Sequence, residues 1–259
     1  RGLGDVYKRQ ASIANQTIRV SIDLLEGLMT TVSELVLSRN QLLQLLRNEK
    51  DSPFSAPLQR LSMITSELQE SVMKTRMQPI GNAWSSLPRI IRDLAHELGK
   101  KIELTMEGAD TELDRQVLEL IKDPLTHMVR NAADHGLEGP DVRIAGGKPA
   151  MGRIRLTAFH EGGHIVIQIA DDGKGLDVAR IRAKAIQNGL VSEAEAATLS
   201  DAAIYRFVLR PGFSTAAAVT AISGRGVGMD VVRTNIERIG GTIDIDSQPG
   251  RGSTFTLSL

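Results

Sequence analysis

Residues 125–136 read LTHMVRNAADHG. Wound as a helix, His127, Asn131 and the pair Asp134-His135 recur at spacings of three and four and share one face. The opposite side carries Leu118, Ile121, Leu125, Met128, Val129 and Ala132. A helix buried along one stripe has no packing reason to align a histidine, an amide and an Asp-His pair on the other. Such a face can simply be solvated or satisfied by neighbouring backbone. Segments rich in glycine further along the chain bear on which reading holds.

Around this helix the periodicities alternate between helix and strand. Upstream, Leu87, Ile90, Ile91 and Leu94 predict a helix over 84–98 that stops at Gly99, and Ile102, Leu104 and Met106 alternate as a short strand. Thr111 and Asp114 read as a capping box opening the long helix. Downstream, a loop bearing Gly and Pro is expected over 137–151. Two alternating runs follow, Ile154/Leu156/Ala158 and Ile165/Ile167/Ile169, joined at Gly162-Gly163 as a hairpin. Helical segments are expected at 178–188 and 193–208, a loop at 209–225, a helix at 226–239, and strands at 242–246 and 253–258. The fold class is α+β: a mixed, mainly antiparallel sheet covered by helices on one face.

The first third has a different character. Over 21–47, Leu25, Leu28, Val32, Leu35, Leu42 and Leu46 form one apolar stripe, interrupted by Arg39. Ile22, Leu25, Met29, Val32, Val36 and Leu43 form a second. Together they make the wide apolar face of a bundle helix, with Asp23 and Glu26 in the first turn where the helix dipole favours them. Residues 48–57 hold two prolines and read as a turn. A second helix over 58–77 turns Leu61, Ile64, Leu68, Val72 and Met73 inward. Two such helices cannot cover each other's faces, so residues 17–80 are expected to pair with a second copy as a dimeric four-helix bundle. The alternative is that the hairpin folds back on the following domain, 81–259.

Composition narrows the functional classes. The 259 residues carry 31 basic and 31 acidic side chains, a formal net charge of zero, which gives no electrostatic case for nucleic acid or an anionic membrane. Aromatic residues make up 3%, too few for base-stacking platforms. There is no cysteine, which fits a reducing, cytoplasmic setting and excludes thiolate metal sites. No apolar run suggests membrane insertion. The chain opens on Arg1, and residues 1–16 lack periodicity, so they read as a linker or non-native segment of a fragment.

Three further segments carry chemistry. In Asp171-Asp172-Gly173-Lys174-Gly175, a carboxylate ends a hydrophobic strand. It can accept from an exocyclic amine such as adenine's, where guanine would present a carbonyl at a cost of roughly 1–3 kcal/mol. An ordinary Asp-Gly turn is the competing reading. Gly224-Arg225-Gly226-Val227-Gly228-Met229 precedes a helix, where successive backbone N–H groups and the helix terminus suit polyphosphate. It lacks the Gly-Lys-Ser/Thr ending of a Walker loop. Gly212-Phe213-Ser214-Thr215 ahead of it resembles a lid hinged at Gly212 and Gly224. Arg180 and Lys184, four apart on a helix, could reach phosphates or form a solvated basic face. Gly250–Thr254 reads as a turn before the last strand.

Taken in order, Asn131 in HxxxNxxDHG, Asp171 in DxGxG, 212–215, 224–228 and Gly252-Ser253 resemble the boxes of the GHKL (Bergerat-type) ATP-binding fold. The phrases VMKTRMQPI (72–80), GADTELDR (108–115) and SGRGVGMDVV (223–232) resemble the chemotaxis histidine kinases, the CheA family, in particular. The resemblance spans residues 17–259. It implies ATP and Mg2+ as cofactors, with Asn131 ligating the metal through its amide oxygen and Asp171 reading adenine. By the same resemblance Asp134 belongs to the nucleotide pocket, and His135, Arg180 and Lys184 contact phosphates. Gly173, Gly175, Ser214, Thr215, Gly224, Gly226, Val227, Gly228 and Met229 would line the nucleotide, with Ser253 near the adenine edge.

His127 stands where the gyrase, Hsp90 and MutL branches place a water-activating Glu. An imidazole there suits transfer to another imidazole, orienting or deprotonating it; a structural hydrogen bond is the alternative. The family implies autokinase activity on a histidine of a separate phosphoacceptor domain, in trans within a homodimer. Response regulators and a chemoreceptor–adaptor array are implied as partners through domains expected outside this chain. Among the five histidines, His96-Glu97 comes nearest to an acceptor motif, but the helix ends just after it. A GHKL ATPase clamp and a nucleotide-binding scaffold without kinase activity remain the other readings.

Overall fold

A computed structural model describes residues 20–46, 53–213 and 229–259, and the chain divides into two compact units at Met77/Gln78. The first is a hairpin of α1 (Ile22–Leu46) and α2 (Ser55–Lys74). Val32 on α1 and Leu58, Thr65 and Val72 on α2 are buried. Thr65 is tolerated there because its hydroxyl donates to Leu61 O at 2.7 Å. Arg39, which interrupts the leucine stripe, reaches Ser66 Oγ on the facing helix at 3.1 Å. The inward face of α2 is therefore narrower than the sequence suggests: Ile64, Leu68 and Met73, expected inside, are exposed, as are Leu28, Leu35 and Leu42 on α1. One hairpin has too little surface to cover both stripes.

The second unit begins within β1 (Met77–Pro79), which forms a two-stranded ribbon with β3 (Glu112–Asp114). A short helix α3 (Gly81–Trp84), α4 (Leu87–Glu97) and β2 (Lys101–Glu107) come between them, and α5 (Arg115–Asn131) follows β3. The main sheet has the order β2-β4-β5-β7-β6, completed by β4 (Met151–Glu161), β5 (His164–Asp171), β6 (Thr242–Gln248) and β7 (Gly252–Ser258). Only β2 and β4 run parallel; the other neighbours are antiparallel, as the expected mixed sheet requires. Gly162 and Gly163 make the β4–β5 hairpin with φ of 59° and 84°, a conformation that side chains resist. In β4, Gly152, Ile154, Leu156 and Ala158 alternate inward while Arg153 and Arg155 face out. Their inner row meets Leu118, Ile121, Leu125, Met128 and Val129 of α5, with Val232 and Ile236 of α10 (Met229–Arg238) completing this core. No helix of the described residues is long and apolar enough to cross a membrane.

Several expectations are corrected. Asp114 is itself the N-cap of α5, accepting from Gln116 N–H at 2.7 Å, so Thr111 and Asp114 form no capping box. Residues 112–114 are extended in β3, and Thr111 instead donates to Ala158 O at 3.1 Å. The expected loop at 137–151 contains α6 (Pro140–Ala145). The helix expected at 193–208 is broken into α8 (Glu193–Thr198), α9 (Asp201–Tyr205) and a 3-10 turn (Arg206–Leu209), because Ser192 and Ser200 each cap a new helix start. α7 (Val178–Gln187) lies where expected.

Candidate functional site

α5 ends by widening. Residues Ala132–Gly136 form a π-turn, closed by Leu137 N–H on Ala132 O at 2.8 Å. The extra residue changes how Asp134 and His135 are set relative to Asn131, and His135 stays near enough to His127 to help lower its pKa. Lys100, just before β2, sends Nζ to Ala133 O at 2.8 Å and Asp134 O at 2.6 Å. Those are carbonyls a helix C-terminus leaves without partners, and a cation is suited to that end of the dipole. Burial holds the Lys100 ammonium below its usual pKa, against the pull of Asp134. His135 Nε2 lies 3.5 Å from Asp134 Oδ2, and its side chain is exposed.

One turn earlier, Asn131 Nδ2 and His127 Nε2 are 2.9 Å apart, and Nδ2 also lies 3.6 Å from Met229 Sδ at the start of α10. The His127 pKa is lowered, first by burial and then by Arg130 and His135, with Asp230 opposing. A neutral imidazole accepting at Nε2 is the form that fits this bond.

The Asp171 end of β5 faces the π-turn through close backbone contact. Gly173 N–H donates to Asp171 Oδ1 at 2.9 Å. Lys174 N–H reaches Gly136 O at 3.0 Å, and Lys174 O accepts from Gly250 N–H at 2.8 Å. The loop 172–175 is thus stitched between the π-turn and the β6–β7 turn, which is more than an ordinary Asp-Gly turn. Its glycines are required by approach: a Cβ on Gly173 would lie 2.1 Å from Gly136 O, and one on Gly175 2.4 Å from Gln248 O. Burial raises the Asp171 carboxyl to about 6, and the backbone N–H groups of Gly173 and Ser253 only partly offset this. The Ser253 hydroxyl shares a 2.9 Å hydrogen bond with Ser247, while its backbone lies opposite Asp171 in the β5–β7 register.

Arg180 and Lys184 occupy α7, four apart, after an N-cap in which Asp177 accepts from Arg180 N–H at 3.0 Å. Gly212 has φ 71°, and Phe213 is anchored in a second apolar cluster with Ile181 and Ile204. Ser214, Thr215, Gly224, Gly226, Val227 and Gly228 lie outside the described residues. The structure therefore brings together His127, Asn131 and Met229, and separately Gly136, Asp171, Gly173, Gly175 and Ser253. Sequence reasoning missed Lys100, Glu138, Arg143 and Lys148, which fasten these groups from behind. For Glu138, Arg143 and Lys148 the one visible signal was charge inside a Gly/Pro-punctuated loop.

Residues 120–259 match the family described as histidine kinase-, DNA gyrase B-, and HSP90-like ATPase. The chain belongs to that family. Residues 15–75 match the homodimeric domain of signal transducing histidine kinases. Over 252 residues the chain is 46% identical to the sensor histidine kinase CheAY of Helicobacter pylori, covering 94% of this chain and 31% of that protein. The chemotaxis protein CheA of Bacillus subtilis is 42% identical over 255 residues (98% and 38%). CheA of Salmonella typhimurium is 44% identical over 253 residues (94% and 36%). The resemblance to chemotaxis histidine kinases read from the motifs is thus borne out, and the chain spans about a third of the length of these relatives.

Proposed function

We propose that this chain is the dimerising and ATP-binding core of a cytoplasmic chemotaxis-type protein histidine kinase. In this reading the γ-phosphoryl group of ATP passes to a histidine on a separate acceptor domain, in trans within a homodimer. Response regulators and a receptor–adaptor array are partners of the whole protein. The hairpin 17–80 pairs the copies and 81–259 holds the nucleotide. The observation that carries this reading is the His127 imidazole, its pKa lowered by burial, hydrogen-bonded to Asn131 at the place where a hydrolytic relative would need a carboxylate to activate water.

The residues present fit the implied cofactors. No group of three or more His, Cys, Asp or Glu is arranged to hold a metal among the described residues. A Mg2+ ion would lean on few protein atoms and on the phosphates, a mode that suits this ion. With Nδ2 directed at His127, the Asn131 amide has its carbonyl oxygen, a hard donor, to offer. Bound there, Mg2+ neutralises charge on the phosphoryl oxygens. Asp171 accepts from the adenine amine, backed by Gly173 N–H. His135, Arg180 and Lys184 supply positive charge or donors to the phosphates, beside Asp134. Ser214, Thr215 and the glycines 224–228 enclose the triphosphate, with Met229 against Asn131. His127 fixes the amide and offers a nitrogen to the incoming imidazole.

Incubating the chain with γ-labelled ATP, Mg2+ and a related acceptor domain tests this. Acid-labile, base-stable label on the acceptor is expected. Release of inorganic phosphate with no labelled protein would favour the ATPase clamp instead.

A further inference from the structure

Behind Asp171 lies a cluster that the proposed chemistry does not use. Arg143 on α6 has a side chain 1% exposed, yet every guanidinium nitrogen is committed. Nε donates to Pro149 O at 2.8 Å, Nη1 to Glu138 at 3.2 Å and Asp172 O at 3.2 Å, and Nη2 to Asp172 Oδ2 at 2.8 Å and Met151 O at 3.2 Å. Lys148 Nζ meets Glu138 Oε1 at 2.9 Å, Asp172 O at 2.9 Å and Gly173 O at 2.6 Å. Asp172 Oδ1 accepts from Arg153 N–H at 2.8 Å, and Asp172 N–H returns to Arg153 O at 3.2 Å. Two cations and two carboxylates balance. Burial pushes Glu138 up, but Lys148 and Arg143 hold it below the usual carboxylate range.

Where these bonds end is informative. Three of them terminate on the carbonyls of Asp172 and Gly173, in the 172–173 and 173–174 peptides of the turn after Asp171. Gly173 is also the residue whose N–H grips the Asp171 carboxylate. That N–H lies in the same peptide as the Asp172 carbonyl, so rotation of this peptide would break the grip, and the bond to the Gly173 carbonyl holds the next peptide in place. A cluster serving stability alone has no need to converge on this turn, and replacing such a cluster by apolar residues often leaves stability unchanged.

We propose that Arg143 and Lys148 are positioning residues that hold the 171–173 turn so that Asp171 presents its carboxylate to adenine. This rests on the reading of Asp171 as the adenine acceptor. Lys148 is the better probe, because its side chain is partly exposed and it bonds to both peptides. Removing one partner from the fully buried Arg143 would strand charges and risk unfolding.

The test is a double-mutant cycle on the full chain, with MgATP and MgGTP binding measured by calorimetry for wild type, Lys148→Met, Asp171→Asn and the pair. Thermal melts confirm that each variant is folded. Lys148→Met is expected to weaken ATP binding by roughly tenfold, a coupling ordinary for groups in one network. In the Asp171→Asn background it should cost less than about twofold. GTP binding should not change, and Lys148→Arg should recover most of the ATP affinity. Equal losses in both backgrounds, or no loss with Asp171 intact, would overturn the proposal while leaving adenine readout standing. If Asp171→Asn alone binds ATP as wild type does, the adenine reading fails and this inference falls with it.

Discussion

His127 Nε2 and Asn131 Nδ2 lie 2.9 Å apart, one helical turn from each other on α5. An amide has two poles, and this bond decides which one faces away from the imidazole. With the NH2 group held by His127 and by Met229 Sδ, the carbonyl oxygen is the pole available to a cation. The histidine would thereby prepare the proposed metal ligand, in addition to any part in proton transfer.

His127→Ala should accordingly weaken MgATP binding by about three- to tenfold, the net worth of one neutral hydrogen bond. His127→Gln retains an acceptor one turn away and should recover most of that affinity. Phosphoryl transfer should stay low in both if the ring also handles the proton. Equal binding by wild type and His127→Ala in magnesium titrations would remove the orienting role. Asn131→Asp should abolish transfer to an acceptor domain.

ATP affinity should depend on pH through Asp171. Burial raises its carboxyl to about 6, and an adenine amine donates best to the ionised form. Binding therefore favours the deprotonated carboxyl, so affinity should fall as pH drops through about 6 and level off above 7. Calorimetric titrations from pH 5 to 8 check this. The step should vanish in Asp171→Asn, and a step that persists there would have to be assigned to another group.

The same carboxylate carries a stability cost. A folded pKa above the unfolded value near 3.8 means that the contribution is favourable below that pH and is lost as pH rises through about 6. At pH 8 the buried anion costs on the order of 3 kcal/mol as an upper bound. Asp171→Asn, whose Oδ1 can still accept from Gly173, should therefore melt higher than wild type at pH 8 and show a smaller advantage at pH 5, while binding ATP less well. Such a trade is expected where function requires an unfavourable group. A variant that melts lower at pH 8 would contradict it.

Much of this was legible because the signals were local. The inward row Ile154, Leu156 and Ala158 and the Gly162-Gly163 turn specify their hairpin without outside help. The pairing of His127 with Asn131 follows from helical spacing alone. The π-turn was not legible, because nothing within 132–136 demands an extra residue per turn. Lys100, thirty-odd positions earlier, binds carbonyls there, and that contact exists only in the folded unit. The Arg143 cluster was hidden for the same reason: its partners Glu138, Asp172 and Met151 lie on separate elements. Thr111 was misread as a cap because Ser/Thr-x-x-Asp is ambiguous until the strand before the helix is known.

Gly252 offers a sharp test of how closely the turn around Asp171 is packed. Its φ is 112°, and a Cβ built there would lie 1.9 Å from Asp171 O and 2.9 Å from Asp172 Cα. Both obstacles are backbone, so no rotamer change can relieve them. Gly252→Ala should cost several kcal/mol, roughly the upper range for a single substitution, and should weaken ATP binding in whatever fraction stays folded. Gly250 has φ 76° but open space around its Cβ position, so Gly250→Ala should cost only the backbone strain, about 1 kcal/mol. Chemical denaturation of the two variants separates the effects, and equal losses would show that the contact between β7 and Asp171 is looser than described.

The exposed leucines of the hairpin predict its assembly. Leu28, Leu35 and Leu42 recur every seven residues on α1 and remain 43%, 36% and 44% exposed, with Ile64 and Leu68 on α2 at 52% and 42%. A row at that period matches the seam of a helical bundle, and burying each leucine fully contributes roughly 1.5–3 kcal/mol. Leu28→Lys with Leu35→Lys in both copies should therefore weaken dimerisation by two orders of magnitude or more. Light scattering over a dilution series should show a monomer, while ATP binding by residues 81–259 persists. Labelling of an acceptor domain fused to the same chain should fall in parallel, since the proposed transfer in trans needs the second copy. A variant that stays dimeric would place the interface away from this row, and full labelling by a monomer would mean that transfer occurs within one chain.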